Sequence, residues 1–331
     1  MRTAIIAFAM AAMIQAAMDV CQAADAPLIQ VQSIPLENVR GRIDHMAVDV
    51  AGNRLFVAEL GNDSVDIVDL KSGKVTGRIS NLKEPQGIAY VSDGDLIVVA
   101  NAGDGSVQFF RAADLSLLGA VALGDDADNV QIDPVNGRVL VGFGSGGLAA
   151  IGPTNRALIG EMKLAGHPEG FDIDPKTNRA FVNVPDEHQV AVLDLRSGSQ
   201  VSSWKFAGLN GNFPMALVGS GGPIAVVFRS PPKLVQIDPA TGVVTQSVDT
   251  CGDADNVFFD GKRNRFYVSC GDGAVDVIGR DADGLRAIGR VETSSGARTS
   301  LFVPELDRLF VAARAGWFES QAAILVFRPS R

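Results

Sequence analysis

The chain has 331 residues, a net charge of −9 at neutral pH and no polybasic run, which argues against nucleic-acid phosphates or an anionic membrane surface as partners, since both need a basic face. The length allows one large domain or two ordinary ones, and an apolar share of 47% is enough to bury a full core.

In chain order, Arg2 precedes an apolar run from Ala4 to Met18 that is broken only by Gln15. Such a run is short for a bilayer span and suits the core of a secretory signal. Small residues at Cys21 and Ala23 place cleavage after Ala23, while Asp19 and Val20 are poor neighbours for a lipidated Cys21. The expectation is a signal peptide over 1–23, a periplasmic destination, and a mature domain over 24–331 with no membrane span after cleavage. The segment Leu28 to Ile34 then reads as an isolated strand.

Seven short apolar runs follow, beginning at Met46, Ile88, Val130, Phe171, Met215, Val257 and Leu301, with starts spaced 42, 42, 41, 44, 42 and 44 residues apart. After each comes a polar turn (Asn53-Arg54, Asn136-Gly137 and Arg263-Asn264 are examples), a second β-rich strand, a Gly- and Asp-rich loop, and a third strand such as Val65 to Leu70. A further turn leads to a fourth strand. Four strands at so constant a period predict an all-β, seven-bladed β-propeller; a two-sheet sandwich would not keep the period, and no 3.6-residue periodicity supports helical repeats. The seventh repeat reaches Arg331 with only three strands, so the strand at Leu28 is expected to complete that blade and close the ring, which removes sheet edges.

The segments Arg54 to Asp69 and Ile97 to Val107 resemble the YVTN-type propeller repeat, and the whole mature chain resembles bacterial YncE-like propeller proteins. The words Gly41 to Met46, Asp126 to Asn129, His167-Pro168-Glu169, Asn212 to Met215 and Gly296 to Ser300 are also similar to that group. The resemblance implies the propeller architecture and an exported location. It implies no particular substrate, because propellers host binding, scaffolding and catalysis alike.

In a propeller the loops that enter the innermost strands converge on one mouth of the central channel. Two residues before each apolar run stand Asp44, Gln86, Asp128, Glu169, Phe213, Asp255 and Thr299; one before stand His45, Gly87, Asn129, Gly170, Pro214, Asn256 and Ser300. Four blades thus offer a carboxylate, and His167, Arg42, Asp126, Asn212, Asp253 and Arg298 add to the rim. Converging carboxylates need compensation, from a cation, a basic ligand, the rim arginines or raised pKa values. Three readings stay open: carboxylates that cap their own loops, a mouth for a small molecule or a periplasmic protein, and a divalent-cation site using Asp128, Glu169, Asp255 and Asn256. Oxygen ligands alone would suit Ca²⁺ or Mn²⁺, and histidine would favour Zn²⁺. The expected protein is a monomeric binding or scaffolding propeller. The alternative is a metal-dependent lactonase or esterase with Asp255 or Glu169 moving the proton.

Gly142 to Gly147 fits G-x-G-x-x-G formally, but it lies between two strands with no helix to follow, so it is a loop and no dinucleotide site. His188 reads as a solvated residue of the same face, and Trp317 and Phe318 as cover for the last blade's core or for the mouth. Cys251, just before the innermost strand of repeat six, and Cys270, at the end of the next, antiparallel strand, are expected to form a disulfide in an oxidising compartment.

Overall fold

The structure is a computed structural model that describes residues 26–316 and 321–331. The signal segment 1–23 and the pair Trp317 and Phe318 lie outside the described residues. Within them the chain forms seven four-stranded antiparallel sheets, and helix is confined to the 3-10 turns Leu60–Asn62 and Pro185–Glu187. No helix among the described residues is long and apolar enough to cross a membrane.

The sheets are the blades of a ring. Their first strands are Met46–Asp49, Pro85–Val91, Ala127–Ile132, Phe171–Asp174, Asn210–Leu217, Ala254–Asp260 and Ser300–Val303. Each packs against the first strand of the next blade, and that of blade 7 returns to that of blade 1, which closes the circle around a central channel. Blade 7 is completed by Leu28–Leu36, antiparallel to Ala322–Pro329, with Leu28 opposite Pro329 and Leu36 opposite Ala322. The first and last described strands thus share one sheet.

Alternation along each strand explains why the second strands read as nearly continuous apolar runs. Successive side chains point to opposite faces, and both faces of a blade are covered by its neighbours. In blade 1, Leu55 and Val57 join Phe310 and Ile324 of blade 7, whereas Phe56 and Ala58 join Ile97 and Val99 of blade 2. The same division repeats round the ring and gives seven cores, one per blade interface. Fourth strands face solvent: in Ser199–Lys205 only Trp204 is partly covered.

A recurring carboxylate holds the turn after the first strand. Asp49, Asp133, Asp174 and Asp260 accept backbone N–H bonds from Gly52, Val135, Lys176 and Lys262 at 2.9–3.0 Å. These aspartates stabilise turns and stand apart from those at the channel mouth. Gly142 to Gly147 is the hairpin loop between strands Val139–Phe143 and Gly147–Gly152, and His188 is exposed at the end of its 3-10 turn.

Cys251 and Cys270 are joined by a disulfide, with their Cα atoms 5.9 Å apart. Both are buried in the core between blades 5 and 6.

Candidate functional site

The entries to the innermost strands are not uniform. In blades 2, 3, 5 and 6 the register with the second strand shifts between Pro85 and Ile88, Ala127 and Val130, Asn212 and Met215, and Ala254 and Asn256. These bulges fall on the residues just before the apolar runs, and a bulge re-aims the side chains it carries. In blades 1 and 4 the strand starts at the apolar run itself, and in blade 7 at Ser300, one residue before it, with no register shift. Gly87 permits the close approach of blade 3 to blade 2, since a Cβ there would run into the Asp128 carbonyl oxygen.

The result is a cavity of about 390 Å³ in the channel. Arg42, Asp44, His45, Asp128, Asn129, Glu169, Asp255 and Asn256 line it, and the wall continues along Met46, Ile88, Val130, Phe171, Met215, Val257 and Leu301. Two residues of the same loops turn into the protein instead. Asn212 is fully buried and donates to Asn183 Oδ1 at 2.9 Å and to the Gln189 carbonyl at 2.8 Å, tying blade 5 to blade 4. Thr299 Oγ1 donates to the Ile43 carbonyl at 3.2 Å, tying blade 7 to the segment entering blade 1. Asn256 lines the cavity while its Oδ1 accepts the Ser300 N–H at 2.8 Å.

The mouth divides into two arcs. On the side of blades 5, 6, 7 and 1, three guanidinium groups neutralise the acids. Arg229 reaches Asp255 at 2.6 Å, Arg298 reaches Asp253 at 3.0 Å and Asp255 at 3.3 Å, and Arg42 reaches Asp44 at 2.7 Å. Arg229 also lies over the Phe213 ring, 3.5 Å from its centroid, and donates to the Ala254 carbonyl at 2.9 Å. Asp255 therefore sits between two guanidinium groups. Burial pushes Asp44 up to about 6, opposed by His45 and Arg42, whereas the Asp255 and Asp128 carboxyls push it the same way as burial. His45 Nε2 stands 3.7 Å from Asp44 Oδ1.

On the side of blades 3 and 4 there is no arginine among these contacts, and histidine takes its place. His167 Nδ1 donates to the Gly144 carbonyl at 2.6 Å, because a carbonyl can only accept. Its Nε2 turns toward Asp128 Oδ2 at 3.8 Å, and Asp126 Oδ2 lies 3.6 Å from Nδ1. The Asp128 carboxylate and the Gly144 carbonyl hold the His167 ring protonated up to about 9, against the opposing effect of burial. Burial, then the charges of Asp128 and Asp255, push Glu169 up to about 8. Burial also raises Asp126, opposed by His167. Gln86 spans the two arcs, with its Oε1 3.5 Å from Arg42 Nη2 and its Nε2 3.5 Å from Asp126 Oδ1. The crowding of carboxylates is thus relieved by arginines on one side and by retained protons on the other.

Of the four residues considered for a cation, the structure brings Asp128 and Glu169 together and adds His167: one ligand atom from each of the three lies within 4.8 Å of the others. Asp255 belongs to the arginine arc, and Asn256 is engaged by blade 7. Arg229 went unseen in the sequence because it comes from the end of the second strand of blade 5, Ile224–Ser230, and not from a loop entering an innermost strand.

A second concavity, of about 1250 Å³, lies at blades 6 and 7 and is lined by Lys262, Arg263, Arg265, Arg280, Arg286 and Arg328 among others. No linear run announces this basic patch. Much of it is internally paired: Arg263 bonds Asp307 at 2.7 Å and Asp260 at 2.9 Å, and Arg286 bonds Asp281 at 3.0 Å.

No protein-family model matches the chain, and no curated protein matches it in sequence. Among solved structures it is similar to a chain of the Kuenenia stuttgartiensis hydrazine synthase, with TM-score 0.75 and 18% identity over 88% of this chain and 98% of that one. It is also similar to a chain from the crystal structure of a mitotic checkpoint complex, with TM-score 0.78 and 14% identity over 91% and 92% of the two chains. Identities this low establish the seven-bladed propeller fold alone.

Proposed function

We propose that the protein is an exported, periplasmic, YncE-like propeller that binds a small polar molecule in the mouth of its channel. One observation carries the reading. One cavity of about 390 Å³, a size that accepts a small ligand and little more, is lined by Arg42, Asp44, His45, Asp128, Glu169 and Asp255, with Arg229 and Arg298 paired to Asp255 and His167 set beside Asp128. Surface ion pairs need no such enclosure. A ligand with one anionic and one cationic or metal-bound group would satisfy both arcs, exchanging the internal pairs of Arg42 and Arg298 for its own.

The test is a thermal-shift screen of residues 24–331 against small anionic, cationic and zwitterionic compounds, followed by calorimetry. Binding that Arg298→Ala weakens supports the reading. A protein partner captured on the propeller, together with no small-molecule response, would replace it with a protein platform.

A metal-dependent hydrolase of small esters or lactones is the second reading, favoured by the convergence of Asp128, His167 and Glu169, two of which line the cavity. Such chemistry needs a divalent ion with an open coordination position and a carboxylate to carry the proton. Lactone or ester turnover that a chelator abolishes would establish it.

A further inference from the structure

We propose that Asp128, His167 and Glu169 form the protein half of a divalent transition-metal site, of the zinc type, on the blade 3 and blade 4 side of the channel mouth. The inference deepens the binding reading by naming what part of that mouth holds.

Three independent features point to an ion. The three side chains each offer a ligand atom, all within 4.8 Å of one another, so small side-chain rotations bring them onto one ion with bonds of about 2.0–2.2 Å. Asp128 is only 6% exposed, yet its Oδ1 is buried with no hydrogen-bond partner. A buried carboxylate oxygen left without a donor costs free energy that a cation would recover. Finally, the imidazole is already posed as a ligand. Nδ1–H is anchored to the Gly144 carbonyl at 2.6 Å, and Nε2, which an ion would bind in place of its proton, is aimed at Asp128. Metal-bound histidines characteristically donate their other ring N–H to a carbonyl or carboxylate in this way, which fixes both tautomer and ring direction.

The donor set selects the metal. One imidazole with two carboxylates suits a borderline ion such as Zn²⁺, whereas Ca²⁺ prefers six to eight oxygens and gains nothing from nitrogen. Three protein ligands would leave a coordination position open, and Asp128 and Glu169 both line the cavity. Arg42, which lines the same cavity, is the cation placed for the far end of a metal-bound anion.

The experiment is calorimetric titration of Zn²⁺ into untagged, chelator-stripped protein, with Ca²⁺ as comparator and Co²⁺ absorption as a report on the ligands. The expected result is about one Zn²⁺ per chain, weakened by about tenfold or more in His167→Gln and in Glu169→Gln, with Ca²⁺ far weaker. His188→Gln, at an exposed histidine outside the cluster and the cavity lining, should leave Zn²⁺ binding unchanged. Zn²⁺ binding that is absent, or that survives both cluster variants, overturns the site. Crystals grown with Zn²⁺ decide without any variant: an anomalous peak among the three side chains supports the site, and a peak elsewhere or none overturns it. Zn²⁺ bound with no small ligand found would leave this site standing and sink the binding reading. A small ligand bound without Zn²⁺ would do the reverse.

Discussion

Removing the Cys251–Cys270 disulfide should lower stability by an amount that can be worked from the chain. The two cysteines are 19 residues apart, and closing a loop of that length removes about 11 cal/mol/K of entropy from the unfolded chain, or about 3 kcal/mol at 25 °C. A domain of roughly three hundred residues unfolds with an entropy of about 0.6 kcal/mol/K, so the expected fall in melting temperature is about 5 °C. Both sulfurs are buried, at 3% and 0% residue exposure, so alanine also removes a little packing. The cross-link is lost in Cys251→Ala, in Cys270→Ala and in the double variant alike. All three should therefore melt close together and well below the parent, with the double variant only slightly lowest. Circular dichroism melts at one scan rate measure this, alongside thiol titration of the unreduced, denatured parent. A double variant melting within about 1 °C of the parent would refute the loop-entropy reasoning, and two titratable thiols in the unreduced parent would refute the bond itself.

Three further outcomes are expected. In metal-free protein, Glu169 and His167 both have folded pKa values raised from their ordinary 4.5 and 6.5, to about 8 and about 9, so the stability they contribute is present at low pH and lost as pH rises through those values. These two groups should make the melting temperature fall between about pH 4.5 and 9, and Glu169→Gln should flatten the part of that fall below about pH 8; an unchanged slope in the variant counts against it. Asn212→Leu strands the Gln189 carbonyl and Asn183 Oδ1 in the core and should cost about 1–3 kcal/mol in urea unfolding while leaving mouth ligands bound, a stability change below about 0.5 kcal/mol being the contrary result. N-terminal sequencing of protein from a periplasmic fraction should begin at Ala24, and an intact Met1 would contradict export by signal cleavage.

The fold was legible because a propeller repeats its hydrogen-bonding unit. The spacing of the apolar runs marks the seven inner strands, and the spare strand at Leu28 fills the vacancy in blade 7; it runs to Leu36, two residues beyond the apolar segment, where it packs on Ala322 and Val39. The site was only partly legible. A fixed offset before each run assumes that every entry loop has the same conformation, and the bulges of blades 2, 3, 5 and 6 break that assumption. Asn212 and Thr299 share their loops with cavity residues yet turn into blade interfaces, whereas Asp128 and Glu169 face the channel. His167 was visible as a rim histidine, but its tie to Gly144 depends on a loop of the neighbouring blade, and no local pattern encodes a contact of that kind. Arg229 arrives from the far end of a strand whose own repeat gives no reason for a charge there.

The central claim is that the channel mouth is the working surface. Calorimetry of the best ligand from the thermal-shift screen, with parent protein, Arg298→Ala and a basic-patch variant such as Arg328→Ala, tests it most directly. The account predicts a single site whose affinity falls by about tenfold or more in Arg298→Ala, through loss of a charged partner, and is untouched by Arg328→Ala. Affinity unchanged by Arg298→Ala but lost in Arg328→Ala would move the site to blades 6 and 7 and contradict the account.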